Sequence, residues 1–302
     1  MADPTSLLPA LPALPELEKP KSIFEKIGAA LPIALTAIAT TFAGLSSGEM
    51  SRAMYWRSAA AQDQAKAADQ WSLAAHKRDR SIMMQTTGLQ LRAMVSYKTG
   101  TLPPVEEAKD PLGRRAREWL GGQGPPPTKP PEIKHAGVQA VLDALGTAQS
   151  EGDVLELAGS IKRDDIDFEL AAAHIGIDRL DREWDPITKA IFAAIASRPI
   201  GPETTALQAS QMEVEQRRYR IEAALNQHLG FLYEVRVKTS ARESDRHRIR
   251  SDYFFYAMLV GQAGATLAAL ALARKRQSGL WLLAGSIGLV SVAFGAYVYL
   301  TM

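Results

Sequence analysis

Three stretches of this chain carry no charged side chain: residues 27–48, 253–273 and 277–302. A helix crosses the hydrocarbon core of a bilayer with ~20 predominantly apolar residues. Within lipid, a helix satisfies every backbone N–H and C=O inside its own segment. The three stretches therefore predict an all-α integral membrane protein with three transmembrane helices. The first is the least apolar, because Pro32 interrupts it and Thr36, Thr40, Thr41, Ser46 and Ser47 dilute it. Ser22-Ile23-Phe24-Glu25 reads as a capping box at its start, and Pro32 predicts a kink. The length of this stretch and the Pro-rich tail ahead of it favour an uncleaved anchor over a cleaved leader.

Aromatic residues flank the spans. Tyr55 and Trp56 follow the first, Tyr253, Phe254, Phe255 and Tyr256 open the second, and Tyr297 and Tyr299 close the third. Three crossings put all of these at one membrane face, as interfacial belts require. Small residues recur along the second span at Ala257, Gly261, Ala265 and Ala269, and along the third at Gly288, Ser291 and Gly295. Such stripes let helices approach closely in lipid, so these seven positions are the expected packing sites.

Between the spans the composition changes. Residues 48–97 hold no proline and are rich in alanine. Positions spaced alternately three and four apart include Met50, Met54, Ala61, Ala65, Ala68, Ala75, Ile82, Leu89 and Ala93, which predicts a helix with a narrow seam. Pro202 suits a helix start, and Leu207, Val214, Ile221, Leu225, Leu232, Val235 and Ile249 share a similar stripe. Two helices of about 50 residues, each reaching ~75 Å, predict a long antiparallel coiled-coil-like stalk. The middle contains Pro103-Pro104 and the run Gly121-Gly122-Gln123-Gly124-Pro125-Pro126-Pro127, a linker signature. Short helices at residues 112–120, around Val138–Leu145 and around Leu155–Ile161 would form a small helical cap. So would a fourth pattern from Phe168 to Ile195, split at Pro186.

The expected organisation is thus a Pro-rich tail (1–21), transmembrane helix 1 (22–48), a first stalk helix (49–99), and the linker with its cap (100–201). A second stalk helix (202–252), transmembrane helix 2 (253–273), a basic turn (274–279) and transmembrane helix 3 (280–302) follow. Lys19, Lys21, Lys26, Arg274, Lys275 and Arg276 fall on one side of this arrangement. The short-loop charge rule directs that side, with the N-terminus, to the cytoplasm and the region between the first two spans outside it. Arg52, Arg57, Arg242, Arg246, Arg248 and Arg250 pull the other way.

Chemistry is sparse. The 302 residues include no cysteine, which excludes disulfides, thiolate metal sites and a cysteine nucleophile. The five histidines follow no metal-ligand spacing. The acidic runs Asp164, Asp165, Asp167, Glu169 and Asp178, Asp181, Glu183, Asp185 lack the turn glycine of a calcium loop and read as solvated helix faces. No cofactor is expected. A net charge of +2 is too small to imply nucleic acid. Arg242, Arg246, Arg248 and Arg250, and also Arg217, Arg218 and Arg220, are candidates for lipid-phosphate contact. In the tail, Leu8, Leu11, Leu14 and Leu17 recur every third residue and would share one edge of a polyproline II helix, a form that docks in partner grooves.

One further pattern combines Ala67-Ala68-Asp69-Gln70-Trp71 on a helix leaving the first span with the apolar hairpin broken by Arg274-Lys275-Arg276 and followed by Gly279-Leu280-Trp281-Leu282-Leu283. It resembles a family of uncharacterised bacterial three-span membrane proteins, defined only as a domain of unknown function. The match covers the first span, residues 60–80 and the last 50 residues, and residues 100–200 look like an insertion. The resemblance implies a multi-pass protein of the bacterial inner membrane and no particular chemistry. From the residues alone, Trp71 is a packing anchor for the facing helix, and Asp69 can pair with Lys66.

The expected function is that of a membrane-anchored scaffold or accessory subunit. Its partners would be lipids and either further copies of itself or another membrane protein. A pore or transport component is the alternative. The charge-free spans weigh against it, since ion pathways usually use ionisable residues within the membrane, although an oligomer could build a pore lined by Thr36, Thr40 and Gln262. Nothing in the sequence assembles a nucleophile with a base or a phosphate loop, so no enzymatic activity is expected.

Overall fold

The computed structural model describes residues 23–99, 111–122, 129–273 and 278–302. Among them run α1 (Ile23–Thr99), α2 (Pro111–Leu120), α3 (Ala136–Gly146), α4 (Glu151–Ala158), α5 (Arg163–Ala196), α6 (Pro202–Ala273) and α7 (Ser278–Thr301). No strand occurs among the described residues. The chain divides into two compact units, Met1–Met50 with Arg248–Met302, and Ser51–His247. The tail positions Leu8, Leu11, Leu14 and Leu17 and the basic turn Arg274–Arg276 lie outside the described residues.

The first unit holds the three apolar helical segments, each long and apolar enough to cross a membrane. Their outward faces carry large apolar side chains such as Ile33, Leu282, Leu289 and Leu300, as lipid contact demands. The inward faces are fitted by shape. Leu35 and Phe42, seven residues apart on α1, press against Gly288 and Gly295, seven apart on α7. A Cβ on Gly288 would stand 2.3 Å from Leu35 Cδ2, and one on Gly295 would stand 2.2 Å from the Phe42 ring. Any Cβ at those two positions would force the Leu35 side chain or the Phe42 ring to move. Phe42 also stacks on Phe254, with ring centroids 6.3 Å apart. Ser291 Oγ donates 2.8 Å to the Ala257 carbonyl in a buried helix-to-helix bond. Ser46 Oγ donates to the Ser251 carbonyl at 2.9 Å and Ser251 Oγ to the Ser46 carbonyl at 2.8 Å. Pro32 stands inside α1 without ending it, and Thr36 Oγ1 donates back to its carbonyl at 2.8 Å.

In the second unit α1 and α6 lie antiparallel. Ser244 Oγ bonds the Ala53 carbonyl, Asp63 meets Arg236, Trp71 meets Glu234, Ser81 bonds the Gln216 carbonyl and Arg92 meets Glu213. The seam of α1 is not the one drawn by its larger apolar residues. Ala53, Ala67, Ala74, Ser81 and Gly88 are buried. Met54, Ile82 and Leu89, one position further on, are 60%, 56% and 59% exposed. Ala61, Ala65, Ala68, Ala75 and Ala93 are exposed as well. The physical reason is backbone proximity. A Cβ on Gly88 would sit 3.2 Å from Met212 Cβ, so the contacting face takes small side chains and the larger ones turn outward.

The middle of the chain also differs from the expected cap. α5 runs unbroken through Pro186 and lies lengthwise on α6. Leu180, Trp184, Ile187, Ile191 and Ile195 pack with Leu207, Val214, Ile221 and Leu225. Pro186 is exposed while Trp184 and Ile187 on either side are buried. Side-chain burial at ~1.5–3 kcal/mol per large apolar residue thus carries the helix past the backbone bond that proline forgoes. α2 closes this core through Trp119, whose ring centroid is 4.3 Å from that of Trp184. α3 and α4 cover a second core with Leu229, Leu232 and Val235 of α6. The middle is therefore a layer along α6 and not a cap at one end of it.

Candidate functional site

The helical faces of the second unit bring together an ionic network that sequence spacing did not single out. Asp63, 2% exposed, receives Arg236 through Nε at 2.8 Å and also through Nη2. Arg236 Nη1 reaches Asp167 on α5 at 2.6 Å. Arg163 stands 3.8 Å from Asp63 and 3.9 Å from Asp167. One guanidinium thus ties α1, α6 and α5 together. Burial disfavours the charge on Arg236, but hydrogen bonds and charges from Asp63 and Asp167 outweigh it and raise the pKa. A second node follows on α6. Arg218 bonds Glu222 at 2.7 Å, Asp185 at 2.8 Å and Asp181 at 3.0 Å, and Lys77 of α1 pairs with the same Glu222. The pKa of Arg218 is raised too, its carboxylate partners overcoming the opposing effect of burial. The acidic runs on α5 are therefore not simply solvated. Asp167, Asp181 and Asp185 bond α6, and the buried Glu169 accepts from the backbone N–H groups of Lys134 and His135 at 2.8 and 2.9 Å, satisfying the start of α3.

Between the two nodes lies Trp71. Its Nε1 donates to Glu234 at 2.8 Å, its ring meets Phe231 edge-on at 4.8 Å, and it lies over Gly230, where a Cβ would come within 3.1 Å. Gln70 is half-buried and Asp69 is exposed. Lys66 approaches Asp63 at 3.9 Å, so the pairing expected for Asp69 belongs to Asp63 instead. His228 sits deeper in the unit, where burial lowers its pKa against the opposing charge of Glu169. Burial raises the Glu215 pKa, and Arg218 opposes it.

The other predicted positions divide. Ala257, Gly261, Gly288, Ser291 and Gly295 are buried within the first unit. Ala265 is half-buried and Ala269 exposed, because steps of four drift off a 3.6-residue helix face. The buried line continues instead through Gly264, Ala268 and Ala271. Of the arginines, Arg242, Arg246 and Arg248 are exposed, and the stem of Arg242 packs on Gly159. Arg250 is turned inward, 3.7 Å from the buried Glu49, and does not present itself to lipid phosphate. Thr40 Oγ1 is bonded to the Thr36 carbonyl at 2.9 Å. Thr36, Thr40 and Gln262 are all exposed.

Spacing arguments thus missed Asp63, Glu222 and Arg236, whereas Asp167 and Arg218, expected on a solvated face and at lipid phosphate, are ion-pair partners within the unit instead. The available signal was a small residue at every seventh position, Ala39, Ser46, Ala53, Ala60, Ala67, Ala74, Ser81 and Gly88. That frame places Asp63 beside the contacting face. The network's ions are matched acid to base, an arrangement suited to holding helices in register. Among the described residues, no three His, Asp or Glu side chains gather as a metal site. Comparison with protein-family models, curated proteins and solved structures gives no match.

Proposed function

We propose that this chain is a membrane-anchored structural protein, a scaffold or accessory subunit of a membrane complex, without catalytic chemistry of its own. The observation that carries this reading is the use of α1. Its small-residue face is taken up by α6, while its larger apolar face, with Met54, Ile82 and Leu89, is left uncovered by the rest of the described chain. A surplus heptad face on a helix already packed is a helix-docking surface. The ion-paired interior supports a fixed platform for it. Self-association through this face is the favoured assembly, with another membrane protein as the alternative partner. The bacterial inner membrane is the proposed location, with Ser51–His247 outside the cytoplasm. The small-residue packing of the apolar helices favours this role over a pore.

The absence of native cysteine allows a direct test. Single substitutions Ala68→Cys and Ala75→Cys on the uncovered face, with Lys66→Cys as an off-face control, are oxidised in native membranes. Disulfide-linked dimers at 68 and 75 and not at 66 are expected. Equal or no crosslinking at all three positions, together with a strict monomer and no co-purifying protein in mild detergent, would remove the basis for the scaffold role.

A further inference from the structure

One hollow in the second unit has a chemistry that the ionic network does not use. It opens between α1 and α6, with a volume of about 360 Å³, and is lined by Arg78, Ser81, Ile82 and Gln85 from α1 and by Arg220, Ala223, Ala224 and Gln227 from α6. The spacing within each set is three or four residues, so each helix offers one face. Ala223 and Ala224 create the space, because larger side chains there would fill it. Among the described residues, no carboxylate lines the hollow, although acids are matched to cations elsewhere in the unit: Lys77, Arg92, Arg163, Arg218, Arg236 and Lys238 each stand within ion-pair distance of one. Among the described residues, Arg78 bonds the neutral Gln227 amide, at 3.3 Å.

We infer that this hollow is an anion site that binds a phosphate group, with Arg78 and Arg220 as its cationic jaws and the Gln85 and Gln227 amides as neutral donors. Guanidinium forks match phosphate oxygens in paired hydrogen bonds. Two of them lining one hollow, with no carboxylate among its described lining residues, leave positive potential that an incoming anion neutralises. The volume falls in the range of small-ligand sites and accommodates a phosphate with a short organic group beyond it, packed against Ile82 and the two alanines. Such a group is supplied by a soluble phosphate ester or by a phospholipid headgroup, and the chemistry at the hollow is the same for both.

The test uses the full chain purified in an uncharged detergent. Binding of inorganic phosphate and of glycerol 3-phosphate is measured by calorimetry, and retention of phosphatidylglycerol against phosphatidylcholine by native mass spectrometry. Arg78→Gln/Arg220→Gln removes the charges, and Ala224→Leu fills the hollow with the charges intact. Circular dichroism reports whether each variant keeps its helices. The expected result is saturable binding that weakens at least tenfold in both variants. A soluble source is indicated if glycerol 3-phosphate binds. A lipid source is indicated if only phosphatidylglycerol is retained, with retention lost in the variants. Binding of no probe, or equal binding by the native chain and a folded variant, would overturn the assignment.

Discussion

At the scale of single residues, the second unit depends most on Asp63. It is nearly inaccessible, and Arg236 and Arg163 are both directed at it. Removing one partner of a buried ion pair strands the other charge, at a cost of about 3–5 kcal/mol. Asp63→Asn should therefore lower the thermal unfolding midpoint of the detergent-solubilised chain by several degrees, whereas Asp69→Asn, on an exposed side chain, should leave it unchanged. His228 gives the unit a pH dependence. Its folded pKa lies below the ordinary value, so as pH falls through ~6.5 the unfolded chain takes up a proton that the folded chain resists. Its contribution to stability is present above that range and declines below it. Unfolding midpoints between pH 8 and pH 5 should drop more steeply for the native chain than for His228→Gln, and parallel curves would show that His228 is not the group responsible.

At the scale of helices, the seam of α1 makes a prediction that depends on a single residue of register. Ala67 is fully buried and Ala68 exposed. Ala67→Leu overpacks the α1–α6 contact, at about 1–3 kcal/mol, while Ala68→Leu adds an apolar group to an open face. Unfolding midpoints should fall for the first and hold for the second, and the reverse order would shift the seam by one position. This register was only partly legible in the sequence. Heptad spacing was plain, but Met54, Ile82 and Leu89 are large apolar residues on one stripe and pointed to the wrong face. Antiparallel helices in close contact bury alanine, serine and glycine, so hydrophobicity alone misleads there. The α6 stripe from Leu207 to Val235 is the buried one, because it packs large residues against large residues of α5. Pro186 misled in the opposite sense. Proline breaks a helix only when tertiary packing does not outweigh the lost bond, and Trp184 with Ile187 supplies that packing.

At the scale of the whole chain, the apolar segments were the most legible feature, because absence of charge over ~20 residues is a constraint that no tertiary contact is needed to interpret. The ionic network was the least legible. Its members come from three helices, and 69 positions separate Arg236 from Asp167, so no local motif brings them together. Membrane integration is what the scaffold role rests on, and fractionation measures it most directly. Cells expressing the chain are lysed, and their membranes are sedimented by ultracentrifugation and washed in alkaline carbonate without detergent. The chain should remain in the pellet and enter solution only when mild detergent is added. Recovery in the supernatant before detergent would contradict three lipid-spanning helices and the scaffold role with them.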